Sequence, residues 1–386
     1  MPIILIYINK FLYSIPAIAT TPIFLNILGK DFWTSLVSAQ IIGGMFAVLI
    51  EANWRTIGIR ELTKTSKFNL IRVTSKNITQ RISLFLITLP LLMILSMTLP
   101  SSDKLLIFLS SVASASLSLS IDSFFVSRNN YSYIYWIEPL SKLFINLFPL
   151  FYVSNHTEMK YYFAVVILSN ILVPISILKG SKNYNFQKSD LKLEFRIYKY
   201  SVSKLLATSY TIFPIPIMLY FNLNNLFIYA ATDKLYRYVM TFYLPLIQYT
   251  QQRIHNQIVY VAQWTKIVYF GLITIPISYA GMELLKGFNI VPKNYAPFSL
   301  MIYFVILSSV VNINRLLEII ITEKTSSNES NNIIYALSTF LFWFFFIFCI
   351  YFQSYTICII SCLVSEIFAC MLRLFRILSL DQKIKD

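Results

Sequence analysis

Apolar runs of about 18 to 26 residues fill most of the chain and alternate with short polar segments. Each run is long enough to cross the hydrocarbon layer of a bilayer as a helix, which takes about 20 residues. Helices are favoured over open strands, because lipid offers no partner for an unpaired backbone group. Twelve runs are predicted to be spans, at residues 3–28, 32–55, 82–99, 105–126, 135–152, 161–178, 205–223, 226–249, 264–285, 298–321, 333–352 and 355–378. The pattern therefore predicts an all-α polytopic membrane protein with about twelve transmembrane helices.

The longest polar segment, at 179–204, divides these spans into two sets of six. Many transporters are built from such repeats and handle their substrate between them. We therefore expect two domains, an N-terminal six-helix bundle at 1–190 and a C-terminal six-helix bundle at 191–386.

Prolines interrupt the first span of each set. Pro16 and Pro22 lie in the first span, and Pro214 and Pro216 lie in the seventh. Proline removes a backbone hydrogen bond and bends a helix. We expect bent helices at both places, which would suit gating.

The composition excludes a soluble globular protein. Hydrophobic residues make up 57% of the 386 positions and charged residues 13%, against roughly 25% charged in soluble domains. The net charge of +15 does not indicate nucleic-acid binding, because no binding module is recognisable. With the N-terminus inside, 21 Lys and Arg residues fall in cytoplasmic segments, Arg373 and Arg376 among them, and five fall on the opposite side. This bias predicts that both termini are cytoplasmic.

Six basic and six acidic residues lie within or at the edges of the predicted spans. A charge near the bilayer centre costs at least about 2.5 kcal/mol unless it is paired, hydrated or able to reach the interface. Residues three or four positions apart share a helix face and can pair. The pairs with this spacing are Glu51–Arg55, Glu138–Lys142, Asp233–Arg237 and Arg315–Glu318. We interpret Glu138–Lys142 and Arg315–Glu318 as neutralised pairs that serve insertion.

Other charges lie deeper or lack an opposite charge nearby in the sequence. Lys10 has no acid nearby in the sequence. Asp233 and Arg237 neutralise each other, so Lys234 adds a further positive charge to that segment. Surplus cations inside a membrane protein suit a hydrated cavity that receives an anionic substrate. The candidate substrate-binding residues are Lys10, Arg55, Lys234 and Arg237. The candidate ion-coupling residues, which would carry a proton or a sodium ion, are Glu51, Asp122, Asp233 and Glu366. The alternative for each residue is a neutralising role.

The four cysteines lie in the last two apolar runs, at Cys349, Cys358, Cys362 and Cys370. No histidine joins them at the spacing of a metal site. We expect packing roles for them, and we predict neither a metal nor an organic cofactor.

Two stretches carry a family resemblance. Residues 16–62 read PAIATTPIFLNILGKDFWTSLVSAQIIGGMFAVLIEANWRTIGIREL, and residues 229–235 read YAATDKL. They resemble the first two helices and the eighth helix of the polysaccharide-biosynthesis flippases. These are the O-antigen and oligosaccharide-lipid translocases of the multidrug/oligosaccharidyl-lipid/polysaccharide exporter superfamily. The chain departs from the family at Trp33, where glycine is usual, and at 52–54, where the family has a glycine near the end of the second span.

The resemblance implies two six-helix bundles around a central cavity in the bacterial inner membrane. It also implies an activity, the movement of undecaprenyl-diphosphate-linked O-antigen or polysaccharide units from the cytoplasmic to the periplasmic leaflet by alternating access. The diphosphate would contact the four candidate cations. The expected partners are the lipid-linked oligosaccharide, membrane lipid and the polysaccharide polymerase machinery, with no nucleic acid.

Two rival functions stay open. A membrane-embedded O-antigen polymerase or glycosyltransferase is an enzyme with the same substrates, but the chain has no Asp-x-Asp motif and no glycine-rich phosphate loop. A drug/cation antiporter of the same superfamily would share the hydropathy pattern, but it would favour acidic residues in the cavity. We therefore predict a transporter rather than an enzyme.

Overall fold

The computed structural model describes residues 3–51, 67–121, 133–180, 202–211, 213–255, 264–288, 290, 297–325 and 329–385. These residues form twelve α-helices and no strand. The helices are α1 (Ile3–Glu51), α2 (Lys67–Thr98), α3 (Lys104–Ser116), α4 (Tyr133–Leu147), α5 (His156–Gly180), α6 (Val202–Thr211), α7 (Pro214–Tyr220), α8 (Leu226–His255), α9 (Trp264–Gly287), α10 (Phe298–Thr325), α11 (Glu329–Tyr351) and α12 (Tyr355–Lys385). Short 3₁₀ helices follow α3 and α4, at Leu117–Leu119 and Pro149–Tyr152. The predicted all-α fold is confirmed.

The first two predicted spans both lie in α1, where they are separated at Gly29. This residue has φ 71° and ψ 177°, a backbone conformation that glycine adopts without a steric penalty. The seventh predicted span is also interrupted, because α6 ends at Thr211 and α7 begins at Pro214. A proline has no N–H group to continue the helical hydrogen bonds. The expected interruption of the seventh span therefore coincides with Pro214.

The helices carry the apolar surface of a membrane protein. Among the described residues, six helical segments are long and apolar enough to span a bilayer: Ser14–Glu51, Lys76–Thr98, His156–Ile177, Phe298–Thr322, Glu329–Tyr351 and Tyr355–Leu380. Large apolar side chains such as Phe151, Phe340 and Phe375 are at least 74% exposed. Such an apolar surface is unfavourable in water and suits lipid. The chain is a multi-pass membrane protein.

The chain divides into two compact units. Unit 1 comprises Ile15–Leu205, and unit 2 comprises Pro2–Ser14 together with Leu206–Asp386. The start of α1 therefore belongs to unit 2, where the Ser14 hydroxyl lies 3.4 Å from the Thr241 hydroxyl. The predicted domain boundary at residue 190 falls within 181–201, outside the described residues, and it stays a prediction.

Small residues let α1 and α3 approach closely in unit 1. A Cβ atom added to Gly43 would lie 2.0 Å from the carbonyl oxygen of Ser111 and 2.9 Å from Cβ of Ser114. The Ser111 hydroxyl also lies 2.8 Å from the Ser96 hydroxyl of α2. Glycine and serine commonly allow this kind of close helix packing in membranes. The serines of the fourth predicted span therefore pack against neighbouring helices.

Thiol and aromatic side chains fill part of the unit 2 core. Cys349, Cys358 and Cys362 are buried, and no described cysteine forms a disulfide. The Cys358 thiol donates to the Tyr229 hydroxyl at 3.6 Å, and the Tyr229 ring packs against Phe304. Within the described ranges, no cluster of His, Cys, Asp or Glu side chains could hold a metal ion. The thiols serve as packing groups.

Candidate functional site

A bidentate ion pair joins Asp233 and Arg237 on α8. The guanidinium donates from Nε to Asp233 Oδ2 at 2.5 Å and from Nη2 to Oδ1 at 2.9 Å. Residues four positions apart lie on one helix face, with the acid first, so the sequence spacing brings the two together. The Arg237 Nη2 group also donates to the carbonyl oxygen of Thr211 at 3.0 Å. Thr211 is the last residue of α6, where carbonyl groups lose their helical partners. The predicted pair is confirmed.

Lys234 adds a second cation to this turn of α8. Its ammonium lies 5.9 Å from the centre of the Tyr238 ring, within the range of a cation–π interaction. Its neighbour Asp233 is only 2% exposed and already holds Arg237 in a bidentate pair. The three charged residues of this turn therefore carry a net charge of +1.

A second buried network surrounds Glu366 of α12. The Tyr210 hydroxyl donates to Glu366 Oε1 at 2.8 Å. The Asn314 amide donates to Glu366 Oε2 at 2.5 Å and to the Glu366 carbonyl oxygen at 2.7 Å. Both carboxylate oxygens thus accept a hydrogen bond. Local sequence spacing gives no signal for this network, because Tyr210 is 156 residues away from Glu366.

Arg373 completes the network from the far side of Asn314. Its Nη1 group donates to Asn314 Oδ1 at 2.7 Å, and its guanidinium lies 4.3 Å from the centre of the Tyr335 ring. The side chain is 0% exposed, whereas the charge count placed it among the cytoplasmic residues. A buried arginine at this position is a feature that sequence reasoning missed. Its signal was its place within the twelfth apolar run.

The predicted pair between Arg315 and Glu318 is wrong. The Glu318 carboxylate accepts a hydrogen bond from the Tyr335 hydroxyl at 2.9 Å. The Nη1 group of Arg315 is buried and has no hydrogen-bond partner among the described residues. A tertiary partner on α11 therefore replaces the local partner that the spacing suggested.

The two networks of unit 2 meet at the end of α6. Tyr210 is bonded to Glu366, and the next residue, Thr211, is bonded to Arg237. Three of the predicted site residues, Asp233, Lys234 and Arg237, thus share one turn of α8. A fourth, Glu366, belongs to the adjoining network.

Unit 1 contains a different set of buried charges. Lys142 donates to Glu138 Oε1 at 2.8 Å, as the spacing predicted. The Glu138 Oε2 atom also accepts from the backbone N–H of Ile121 at 3.3 Å. The Nη1 group of Arg81 donates to the carbonyl oxygens of Ser118 and Ser120 at 3.0 Å. These hydrogen bonds fix the segment at 117–121, where the fourth predicted span changes from an α-helix to a short 3₁₀ helix.

The remaining candidate residues are described in part. Glu51 is buried in unit 1, and its Oε2 atom lies 3.7 Å from Nζ of Lys204. Arg55 and Asp122 lie outside the described residues. For Lys10, only the helical backbone within α1 is described.

Comparisons with known proteins give no sequence match and a consistent structural one. No family model matches the chain, and no curated protein sequence matches it. An outward-facing multidrug resistance MATE family transporter of the MOP superfamily matches with a TM-score of 0.57 and 12% identity, over 98% of this chain and 96% of that chain. An inward-facing MATE family transporter of the same superfamily gives a TM-score of 0.53 and 12% identity, over 97% and 96%. A MATE protein in complex with MaL6 gives 0.55 and 10%, over 98% and 96%. The likeness to these structures shows that the chain has the two-bundle helical fold of MATE transporters.

Proposed function

We propose that this chain is a flippase. It would move undecaprenyl-diphosphate-linked O-antigen or polysaccharide repeat units from the cytoplasmic to the periplasmic leaflet by alternating access. The fold supports a transporter, because the similar MATE structures include an outward-facing and an inward-facing transporter. A polyprenyl tail can stay in lipid during this movement, while the charged head group needs polar partners inside the protein.

The observation that carries the proposal is the surplus of basic charge in unit 2. Asp233 is engaged by Arg237 in a bidentate pair, so Lys234 brings the turn to a net positive charge. Placing such charge within an apolar bundle costs at least about 2.5 kcal/mol per residue, so a net charge there favours a functional role over a neutralising one. Guanidinium and ammonium groups are the side chains that bind phosphate most strongly. A diphosphate linked to lipid and sugar fits this chemistry.

Glu366 is the best-supported candidate for ion coupling. A carboxylate holds its hydrogen-bond donors less strongly once it takes a proton, because bonds to a charged acceptor are stronger than bonds to a neutral one. Here the affected donors are Tyr210 and Asn314, so proton uptake would reach α6 and α10 directly. Asp233 would act differently, because its protonation would release Arg237. Glu51 and Asp122 stay proposed coupling residues, as Lys10 and Arg55 stay proposed substrate contacts.

The proposed setting follows from the charge distribution. Both termini would face the cytoplasm of a bacterial inner membrane, since most Lys and Arg residues outside the spans then lie inside. The polysaccharide polymerase machinery would take up the translocated units. The transporter fold favours this role over that of the polymerase itself, so no catalytic residue is proposed.

A drug/cation antiporter is the second candidate. The buried carboxylate of Glu366 favours it, because a carboxylate can exchange a proton for a cationic substrate. The similar structures are themselves described as multidrug resistance transporters. The sign of the substrate charge separates the two candidates, since the flippase handles an anion and the antiporter a cation.

Complementation tests the flippase proposal. A strain that lacks its own flippase and carries the cognate glycan pathway would receive the wild type, Lys234→Gln or Lys324→Gln, with membrane levels checked. Lys324 is a matched control because it lies at the end of α10, away from the α8 cluster. We expect surface glycan to return with the wild type and the control, and to be reduced with Lys234→Gln.

Two results would overturn the proposal. If lipid-linked units reach the periplasm without this protein and only their polymerisation fails, the chain acts as a polymerase. If no glycan is restored, while vesicles containing the protein exchange protons for a fluorescent lipophilic cation, the chain is an antiporter.

A further inference from the structure

Asn314 of α10 joins a buried acid to a buried arginine. Its amide nitrogen donates to two oxygen atoms of Glu366, to carboxylate Oε2 at 2.5 Å and to the main-chain carbonyl oxygen at 2.7 Å. Its amide oxygen accepts from Nη1 of Arg373 at 2.7 Å. All three residues are at most 3% exposed. The amide therefore uses its donor end on Glu366 and its acceptor end on Arg373.

Only one orientation of this amide satisfies both neighbours. A guanidinium can donate but not accept, and an ionised carboxylate can accept but not donate. If the Asn314 amide turned over, its NH₂ group would face the donors of Arg373, and its oxygen would face the carboxylate oxygen of Glu366. Two donors would then meet at one end of the amide and two acceptors at the other. Arg373 thus holds Asn314 in the orientation that donates to Glu366.

Tyr335 of α11 fixes the position of Arg373 in turn. The guanidinium lies 4.3 Å from the centre of the Tyr335 ring, within the range of a cation–π interaction. The hydroxyl at the far end of this ring donates to Glu318 Oε2 at 2.9 Å, so the ring is itself held in place. The Arg373 side chain is therefore positioned by contacts with both α10 and α11.

The amide of Asn314 also separates the two charges that it joins. Glu366 and Arg373 are seven residues apart on α12, which is a rise of about 10 Å, and Asn314 bridges this distance. A direct ion pair resists protonation of its acid, because the arginine would be left buried without a partner. Asp233 is in that situation, since Arg237 bonds both of its oxygens. Glu366 can change charge while Arg373 keeps its bond to Asn314.

We propose that Arg373 is a positioning residue for proton exchange at Glu366 and that it acts through the amide of Asn314. This inference rests on the proposed coupling role of Glu366 and adds two residues to it. Hydrogen bonds to an ionised carboxylate favour that form over the neutral one, so a firmly held amide sets the pH at which Glu366 takes up a proton. Arg373 strengthens this effect, because successive hydrogen bonds in a chain polarise one another.

Other titratable and charged groups also act on Glu366, and they come from three neighbouring helices. They are Tyr210 on α6, Arg315 on α10 and Tyr335 on α11. Among the described residues, Arg373 is the charged group that bonds Asn314. A substitution of Arg373 therefore changes both the hold on Asn314 and the charge near Glu366, and the test must separate these two effects.

Infrared spectroscopy of the full chain in phosphatidylcholine nanodiscs measures proton uptake at Glu366 directly. The protonated carboxyl band of this residue is the one that disappears in Glu366→Gln, and its pH titration gives a midpoint. In Arg373→Met, Asn314 loses its anchor, and we expect the midpoint to rise by about one pH unit, an about tenfold higher proton affinity, since a hydrogen bond to a charged group contributes about this much. Arg373→Lys should recover part of the shift, because lysine keeps a donor and the charge but lacks the planar fork.

A double variant separates positioning from long-range charge. Asn314→Leu removes the bridging amide and should raise the midpoint by itself. If Arg373 acts through Asn314, adding Arg373→Met to this variant should change the proton affinity by no more than about twofold. A second rise as large as the first would mean that Arg373 acts on Glu366 by charge alone, which would overturn the positioning role.

Arg376→Met is the matched control, because it removes a cation one turn further along α12, and it should leave the midpoint unchanged. Thermal unfolding shows which variants are folded. If Arg373→Met does not fold, two variants of Tyr335 replace it. Tyr335→Leu removes the ring beneath the guanidinium and should raise the midpoint by a smaller amount. Tyr335→Phe keeps the ring and should not.

The outcomes separate this inference from the proposed function. A raised midpoint in Arg373→Met that vanishes in the Asn314→Leu background supports the positioning role. A wild-type midpoint in a folded Arg373→Met overturns that role and leaves Glu366 as the coupling residue. Equal midpoints in Tyr335→Leu and Tyr335→Phe do the same where Arg373→Met does not fold. If Glu366 keeps one protonation state at every pH at which the protein is folded, its coupling role and this inference both fall, whereas complementation still decides the flippase proposal.

Discussion

Buried charges are arranged differently in the two units. In unit 1, Lys142 bonds Glu138, which also accepts the N–H of Ile121, while Arg81 donates to two carbonyl groups at the end of a helix. In unit 2, Arg237 bonds Asp233, hydroxyl and amide groups bond Glu366, and Arg315 keeps a donor without a partner in the described residues. Burial of a charge is thus common to both units, and it does not by itself mark a functional site.

We expect the Glu138–Lys142 pair of unit 1 to stabilise the fold, and we propose substrate contact for the surplus cations of unit 2. Removing a bonded charge leaves its partner buried and unpaired, which is strongly destabilising. Removing a cation that makes no hydrogen bond should cost less, because no buried partner loses a bond. The stability of single variants therefore measures which role a charge has.

The largest effect is expected for Lys142→Met in unit 1. The substitution leaves the Glu138 carboxylate buried without its cation, which should lower the free energy of unfolding by about 3–5 kcal/mol. Thermal unfolding in detergent measures the change. The double variant Glu138→Gln/Lys142→Met should regain most of the loss. A single variant that unfolds at the wild-type temperature would contradict a structural role for the pair.

Gly43→Ala should come next, through packing rather than charge. Its new Cβ would overlap the Ser111 carbonyl oxygen at 2.0 Å, so a backbone must move, at a cost of about 3 kcal/mol, the upper part of the usual range for overpacking. Gly44→Ala is the matched control, because nothing lies within 4 Å of its added Cβ. Equal melting temperatures for the two variants would show that α1 and α3 are not packed tightly.

Tyr210→Phe probes a bonded acid in unit 2. The Glu366 carboxylate would lose one of its two side-chain donors, which should lower the free energy of unfolding by about 2 kcal/mol. Tyr279→Phe on α9 removes a hydroxyl without touching a buried acid and should change little. If both variants unfold alike, the Tyr210–Glu366 hydrogen bond does not stabilise unit 2.

A smaller effect is expected at the Asp103–Lys160 pair of unit 1, whose carboxylate lies just before α3 and outside the spans. Partial burial raises the pKa of Asp103. The hydrogen bonds that the carboxylate accepts from Lys160 and from the backbone N–H of Leu106 outweigh this effect and lower the pKa below its usual value. A lowered pKa gives stability that is present above the unfolded-state pKa and is lost as the pH falls through the folded-state pKa. Lys160→Met should therefore lower stability at pH 7 by about 0.2–1 kcal/mol, as for other exposed pairs.

The pH dependence provides the check on this pair. Below both pKa values of Asp103, the carboxyl is neutral in either state, so the wild type and Lys160→Met should converge. Unfolding of both proteins is measured at pH 7 and in strong acid, which gives the difference in stability between the wild type and Lys160→Met at each pH. A gap that stays constant in acid would mean that Lys160 stabilises through packing rather than through Asp103.

The smallest effect on stability is expected for Arg315→Gln. Because no internal hydrogen bond of Arg315 is lost, the free energy of unfolding should change by no more than about 0.5 kcal/mol. A small loss of stability for Arg315→Gln and a large one for Lys142→Met would show that the two buried cations have different roles. A loss as large as that of Lys142→Met would place Arg315 with the structural charges.

The sequence predicts the features that a single helix or the bilayer determines. Bilayer thickness sets the length of each span, and helix geometry brings Asp233 to Arg237 and Glu138 to Lys142. The predicted Arg315–Glu318 pair does not form, because the hydroxyl of Tyr335, 17 residues along the chain from Glu318, bonds the same carboxylate. The Tyr210–Glu366 bond and the burial of Arg373 depend on packing between distant helices. No residue spacing within one helix predicts them, although the place of Arg373 in the twelfth apolar run was a signal for its burial.

The burial of Arg373 also has a consequence for the response to voltage. An arginine side chain does not release its proton inside a protein, so this charge is constant, and Glu366 beside it is the group that can gain or lose charge. Each elementary charge that crosses the membrane potential gains or loses about 2.3 kcal/mol per 100 mV. A proton that enters Glu366 from one side and leaves to the other would therefore draw on the electrical potential as well as the pH gradient. Transport would then continue in a membrane whose two faces have equal pH.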